Sequence, residues 1–168
     1  TRRSSDLAEG DLSEANDSVF WKEIAIPLAP DPENSMKMTI SPDGLLPGSR
    51  NAVTYYKNIK NFGNVTLVEL QLETGRTHQI RVHMAGIGHP LLGDTMYNPR
   101  ACLKMSNRKE KKNTEGRINN RNDCFKRAAL HAWKLTFCHP FTDEIITLEA
   151  PLPDDFCRFL NANEEEKT

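Results

Sequence analysis

The segment Thr74–His83, reading TGRTHQIRVH, gathers two arginines and two histidines where an apolar run gives way to a helix. Taken alone, Arg76 and Arg81 could be ordinary surface or salt-bridge residues, or could hold an anion, and the two histidines raise the question of a metal. At about 100° per residue, His78, Arg81 and Ala85 share one helical face, while Ile80, His83 and Met84 lie near another. An arginine one turn into a helix, beside unsatisfied amides, suits a carboxylate or a phosphate. The two histidines are about 140° apart around such a helix and do not converge on one ion as an i,i+4 pair would, so no metal site is expected. The glycines between 86 and 93 match neither G-x-G-x-x-G nor G-x-x-x-x-G-K, which argues against a nucleotide cofactor. Cys138-His139 falls at a turn without a third group to orient it and reads as structural.

The elements that position these residues follow from periodicity and breakers. Residues 65–72 are β-rich and partly alternating, a strand with at least one buried face. Gly75 lets the chain turn, Thr77 is the candidate N-cap and Gly86 the candidate stop of a helix over roughly 78–85. A strand near 51–57, joined to 65–72 through Asn61-Phe62-Gly63-Asn64, makes a hairpin that leads into this helix. A second hairpin is expected from 128–137 and 145–148, with His139–Asp143 as its turn, and 154–160 reads as a short closing helix. Prolines at 27, 30, 32, 42 and 47 cut the intervening stretch into short extended pieces.

A chain of 168 residues with 38% apolar content supports one domain or most of one, and its net charge of −1 gives no general attraction to nucleic acid. No run of eighteen apolar residues and no signal-peptide pattern occurs, so neither a membrane nor secretion is expected. Cys102, Cys124, Cys138 and Cys157 lack a C-x-x-C pair and suit reduced thiols inside a cell. Residues 1–20, with Asp6, Glu9, Asp11, Glu14 and Asp17, read as an acidic linker or insertion, and 161–168 as an acidic tail. The body is 21–160, interrupted at 104–127 by nine bases against three acids. That polar stretch reads as a flexible insertion. It is either simply solvated or an arm whose Lys104, Arg108, Lys109, Lys111, Lys112, Arg117 and Arg121 meet RNA phosphates.

Taken together, the run from Leu70 to His83, then Gly88-His89-Pro90-Leu91-Leu92-Gly93-Asp94 with Tyr97, then Leu130–Phe137 with His139-Pro140 and Ala150–Phe156, resembles the RluA-type family of RNA pseudouridine synthases over roughly 24–160. The resemblance implies an α+β fold, mainly antiparallel sheet with short helices. It implies isomerisation of uridine to pseudouridine in structured RNA (rRNA or tRNA), with RNA as partner and no cofactor. Arg81 inherits the arginine that pairs with the catalytic aspartate, and Arg76, Thr77, His78 and Gln79 the substrate-binding positions beside it. The family's aspartate lies in an R-L-D-x-x-T-S-G-like string and its tyrosine in a K-x-Y-x-A-like strand, and neither string occurs here. Asp94 and Tyr97 belong to a different motif of the family. The expectation is therefore the C-terminal part of a catalytic domain, inactive alone, in a cytoplasm or an organelle with its own ribosomes. A non-catalytic RNA-binding or ribosome-assembly protein that keeps the fold is the alternative.

Overall fold

A computed structural model describes residues 1–12, 20–98 and 125–164. The elements are β1 (Arg2–Glu9), β2 (Lys22–Ala25), β3 (Leu28–Asp31), β4 (Asn34–Ile40), β5 (Val53–Asn61), β6 (Val65–Leu72), α1 (Gln79–Gly86), β7 (Leu130–Cys138), β8 (Ile145–Glu149) and α2 (Asp154–Glu164). Six strands form one antiparallel sheet in the order β2-β5-β6-β1-β7-β8, and β3-β4 form a separate hairpin. This is the expected α+β arrangement, and both hairpins, β5-β6 and β7-β8, stand where the turn residues placed them. Among the described residues, no helix is long and apolar enough to cross a membrane.

The correction is at the N-terminus. Residues 2–9 are not linker but β1, an inner strand paired with β6 along its whole length and with β7 over Arg2–Asp6. Only Leu7 and Ala8 in this strand are apolar, so composition concealed it. Two backbone ladders hold it in place, and Arg3 adds a 3.1 Å ion pair to Glu69 on β6. Leu7 and Ala8 point to opposite faces and mark the two cores. Ala8 packs with Val68, Leu70, Ile80, Met84 and Leu91 under α1, whereas Leu7 packs with Val65, Leu92, Phe125, Phe156 and Phe159 under α2. A third cluster, Leu28, Ala52 and Val82 with Met38, Ile40 and Tyr97, seats the β3-β4 hairpin against the outer side of α1.

Two further boundaries move for the same reason, buried aromatic or amide contacts at the end of a polar run. Phe125 is buried among Phe156 and Phe159, and Arg127 bonds Asp155 at 2.8 Å, so the basic insertion ends before 125. The tail begins later than 161, because α2 continues to Glu164 and Asn163 is buried with its amide on the Phe159 carbonyl. Lys104, Arg108, Lys109, Lys111, Lys112, Arg117 and Arg121 lie outside the described residues.

Candidate active site

The turn between β6 and α1 is built by one side chain. Gln79, 3% exposed, accepts from the Thr74 hydroxyl (2.8 Å) and the Arg76 amide (2.9 Å), and donates to the Val53 carbonyl (2.9 Å) and the Thr54 hydroxyl (3.0 Å). Its full hydrogen-bonding capacity is used in joining the turn to β5. Gln79 is thus an internal brace, not the substrate contact expected of it. Arg76 is tied by its Nε to the Asn51 carbonyl at 3.0 Å. Thr77 is exposed and caps nothing. The N-cap is His78, in the left-handed conformation (φ 56°, ψ 17°) and with no side-chain cap bond. At the other end Gly88 (φ 86°), not Gly86, makes the stop: its amide reaches Ala85 and that of His89 reaches Met84, the paired bonds of a Schellman motif.

Inside α1 the polar residues divide between structure and site. His83 is fully buried, with Nε2 donating to the Ile26 carbonyl and Nδ1 accepting from the Thr54 hydroxyl, both at 2.8 Å. Burial lowers its pKa, so it serves the core as a neutral imidazole. Arg81 lies on the other side of the helix. Its Nε meets Asp94 Oδ2 at 2.7 Å and its Nη2 meets Oδ1 at 2.8 Å, a forked pair. Asp94 Oδ1 also accepts the Met96 and Tyr97 amides, which folds residues 94–98 into a tight turn. Burial alone would raise the Asp94 carboxyl; Arg81 and these amides outweigh it and hold the group below its ordinary value.

Tyr97 completes the cluster. Its ring lies 4.8 Å from the Arg81 guanidinium, and its hydroxyl accepts the Met38 amide (2.9 Å) while standing 2.8 Å from His78 Nδ1. The structure therefore brings His78 and Arg81 together through Asp94 and Tyr97, two residues that the sequence reading assigned to a separate motif. The legible signal was a Gly-Asp turn followed by Tyr three residues on, at a distance in sequence suited to returning toward α1. Arg81 was expected to face a carboxylate outside this chain; here Asp94 holds one edge of it, and Nη1 donates no hydrogen bond to the described residues. Chemically this is a cation fixed in direction, backed by an aromatic face and flanked by a neutral imidazole, able to orient a second anion.

The RNA pseudouridylate synthase family matches residues 22–86. The ribosomal large subunit pseudouridine synthase D of Haemophilus influenzae is 48% identical over 116 residues, covering 69% of this chain and 34% of that protein. The corresponding protein of Pasteurella multocida is 44% identical over 136 residues, covering 81% of this chain and 38% of that protein. The chain thus spans little more than a third of these relatives' length. In the solved structure of human RNA pseudouridylate synthase domain containing 4, 62% of that chain superposes on 97% of this one with a TM-score of 0.67 at 22% identity, a likeness of fold. The fold, the ordered motifs and these matches place the chain in the RluA-type family of RNA pseudouridine synthases.

Proposed function

We propose that the protein containing this chain isomerises uridine to pseudouridine in structured RNA, ribosomal or transfer, and that Arg81 is the cation of its reacting centre. The observation that carries the reading is the Arg81–Asp94 fork, which fixes the guanidinium while leaving Nη1 unengaged by the described residues. A carboxylate arriving at that edge would be kept ionised and aimed, as the reaction requires of the aspartate that acts on the nucleoside. The uracil–ribose nitrogen–carbon bond breaks and the sugar rejoins at a ring carbon, so atoms balance without a cofactor. A flipped-out nucleotide gives the site access to that bond. Arg76, Thr77 and His78 border the turn where the nucleotide would enter, and the bases between 104 and 121 would add phosphate contacts. A compartment with ribosomes follows from that substrate.

Tritium release from uridine-labelled RNA tests the proposal in the longest natural polypeptide that contains these residues. Arg81→Ala should lower turnover about a hundredfold or more, the effect of roughly 3 kcal/mol at a reacting centre, with only partial recovery in Arg81→Lys. Near-normal turnover by a folded Arg81→Ala protein would remove Arg81 from the mechanism. The 168 residues alone carry no R-L-D-x-x-T-S-G string. Expected of them is no turnover, and activity above a protein-free blank would contradict this. The second reading is an RNA-binding protein that keeps the fold without the reaction; RNA binding by the longest polypeptide without tritium release would establish it.

A further inference from the structure

We infer that His78 presents a neutral Nε2–H donor beside Arg81, its tautomer set by the Tyr97 hydroxyl, and that this donor takes an oxygen of the bound uridine nucleotide. The inference rests on the reading of Arg81 as the reacting-centre cation and adds to it a second, uncharged contact.

Three observations converge on it. The first is backbone strain. His78 is one of two non-glycine residues with positive φ among the described residues, and a left-handed residue of this kind persists only where its surroundings fix it. Its side chain does not serve the helix there, since it caps no amide. The second is proton accounting. The Met38 amide, a donor only, points at the Tyr97 oxygen (2.9 Å), so Tyr97 accepts from Met38 and has one O–H left to give. Giving that proton to His78 Nδ1 at 2.8 Å pairs both groups, whereas an Nδ1–H would leave the Tyr97 O–H with no acceptor among the described residues, so we assign the single proton of the neutral ring to Nε2. An edge-on packing of the two rings, centroids 5.5 Å apart, holds the same orientation. The third is that Nε2 has no partner among the described residues, although the ring is half-buried. A donor fixed in direction and left unpaired beside an anion-orienting arginine is suited to a carbonyl or phosphate oxygen.

The charges around His78 keep it neutral. Burial and Arg81 on α1 lower its pKa, Asp94 on the following loop opposes them, and Asp31 on β3 acts on Tyr97. A neutral donor leaves the incoming carboxylate to Arg81 and does not compete for it.

The ring nitrogens can be read by long-range proton–nitrogen NMR on the 168-residue chain. The expected result at neutral pH is an unprotonated Nδ1 and a protonated Nε2, with titration below the ordinary histidine value. Tyr97→Phe should mix the tautomers and move the titration upward while the remaining spectrum stays native. Protonated Nδ1, or an even mixture in the unmodified chain, overturns the inference. Uridine, inorganic phosphate and a short single-stranded oligouridine are then added separately, with the Arg81 side-chain resonance followed alongside. A shift of His78 with uridine identifies a base or sugar oxygen, and with phosphate a backbone oxygen; either supports the inference. If Arg81 responds and His78 does not, the inference fails while the reading of Arg81 stands. If neither responds to any of the three, the inference fails, while the reading of Arg81, whose partner is a carboxylate, is decided by the turnover of Arg81→Ala. His78→Asn, which tolerates the left-handed backbone but lacks the reach, should weaken oligouridine binding about two- to tenfold. Unchanged binding in that variant also overturns the contact.

Discussion

Replacing Asp94 by Asn tests whether the fork on Arg81 is a structural necessity as well as a site feature. Asp94 is 1% exposed, and its carboxylate receives four hydrogen bonds: two from Arg81 and one each from the amides of Met96 and Tyr97. Asparagine keeps an oxygen for the two amides but turns an N–H toward the guanidinium, so donor faces donor. Removing one member of a fully buried ion pair costs about 3–5 kcal/mol. The Arg81 side chain retains 22% exposure, and water recovers part of that loss. The expected destabilisation is therefore about 2–3 kcal/mol. In urea, with a slope of about 2 kcal/mol per molar, the unfolding midpoint should fall by roughly 1 M with the slope unchanged. A double-mutant cycle with Arg81→Met should return a coupling above about 1 kcal/mol, because Met leaves nothing for the asparagine to oppose. The pH dependence has a definite sign: the folded pKa of Asp94 lies below its unfolded 3.8, so its contribution is present above that value and lost only as pH falls through the folded one. The gap between the two proteins should hold from about pH 5 to 8 and close in strong acid. A loss below about 0.5 kcal/mol, or a cycle with no coupling, would refute the account of this pair.

Gly93→Ala should destabilise by about 3 kcal/mol or more, since its φ of 68° disfavours a side chain and a Cβ there would meet the Arg127 carbonyl and lie 2.9 Å from Phe125; chemical denaturation would read it, and wild-type stability would refute the packing described. Asp6, fully buried in β1, is pushed up to about 8 mainly by burial, against the opposing pull of the His131 amide, Ser4 and Arg127. A raised folded pKa means stability is fully present below 3.8 and is lost as pH rises through 8, so Asp6→Asn should be the more stable protein at pH 7, by an amount on the order of 4 kcal/mol at most. Stability curves that run parallel from pH 4 to 8 would count against a protonated Asp6. His83 acts in the opposite direction: its folded pKa lies below 6.5, so stability is present above 6.5 and declines as pH falls from there, a dependence that His83→Gln should flatten in the same titration.

What could be read in the sequence was whatever a local rule decides. Alternation and an Asn-Phe-Gly-Asn turn located β5 and β6, and helical spacing grouped Ile80, His83 and Met84 on a side of α1 that the structure buries. Where the structure departs from the reading, a nonlocal bond decides instead. β1 is a strand because β6 and β7 leave it a place between two hydrogen-bonding edges, which its own Arg-Arg-Ser-Ser-Asp run does not reveal. Thr77 is the better N-cap by type, yet Gln79 reaches back to Thr74 and the Arg76 amide and fixes the turn so that His78 takes the cap position in a strained conformation. Asp94 could be seen as a turn residue but not as the partner of Arg81, because their meeting depends on the chain returning past α1.

The site and the core of its neighbourhood are built from the same atoms, and this sets how any variant must be interpreted. The Tyr97 hydroxyl that orders His78 also takes the Met38 amide and so fastens the β3-β4 hairpin against α1, while the Asp94 that aims Arg81 also folds the loop bearing Tyr97. Thr54 similarly joins two networks, receiving Gln79 from the turn and giving its proton to His83 in the core. Loss of turnover in Tyr97→Ala or Asp94→Ala would therefore mix misfolding with lost chemistry. Tyr97→Phe separates them, since it keeps the ring against Arg81 and removes only the hydroxyl. Tyr97→Phe should lose about 1 kcal/mol of stability through the unmade Met38 bond, and, on the proposed function, in the longest natural polypeptide should alter the pH profile of turnover through His78 more than it alters the plateau. An unchanged profile with the full stability loss would mean that Tyr97 serves the hairpin alone.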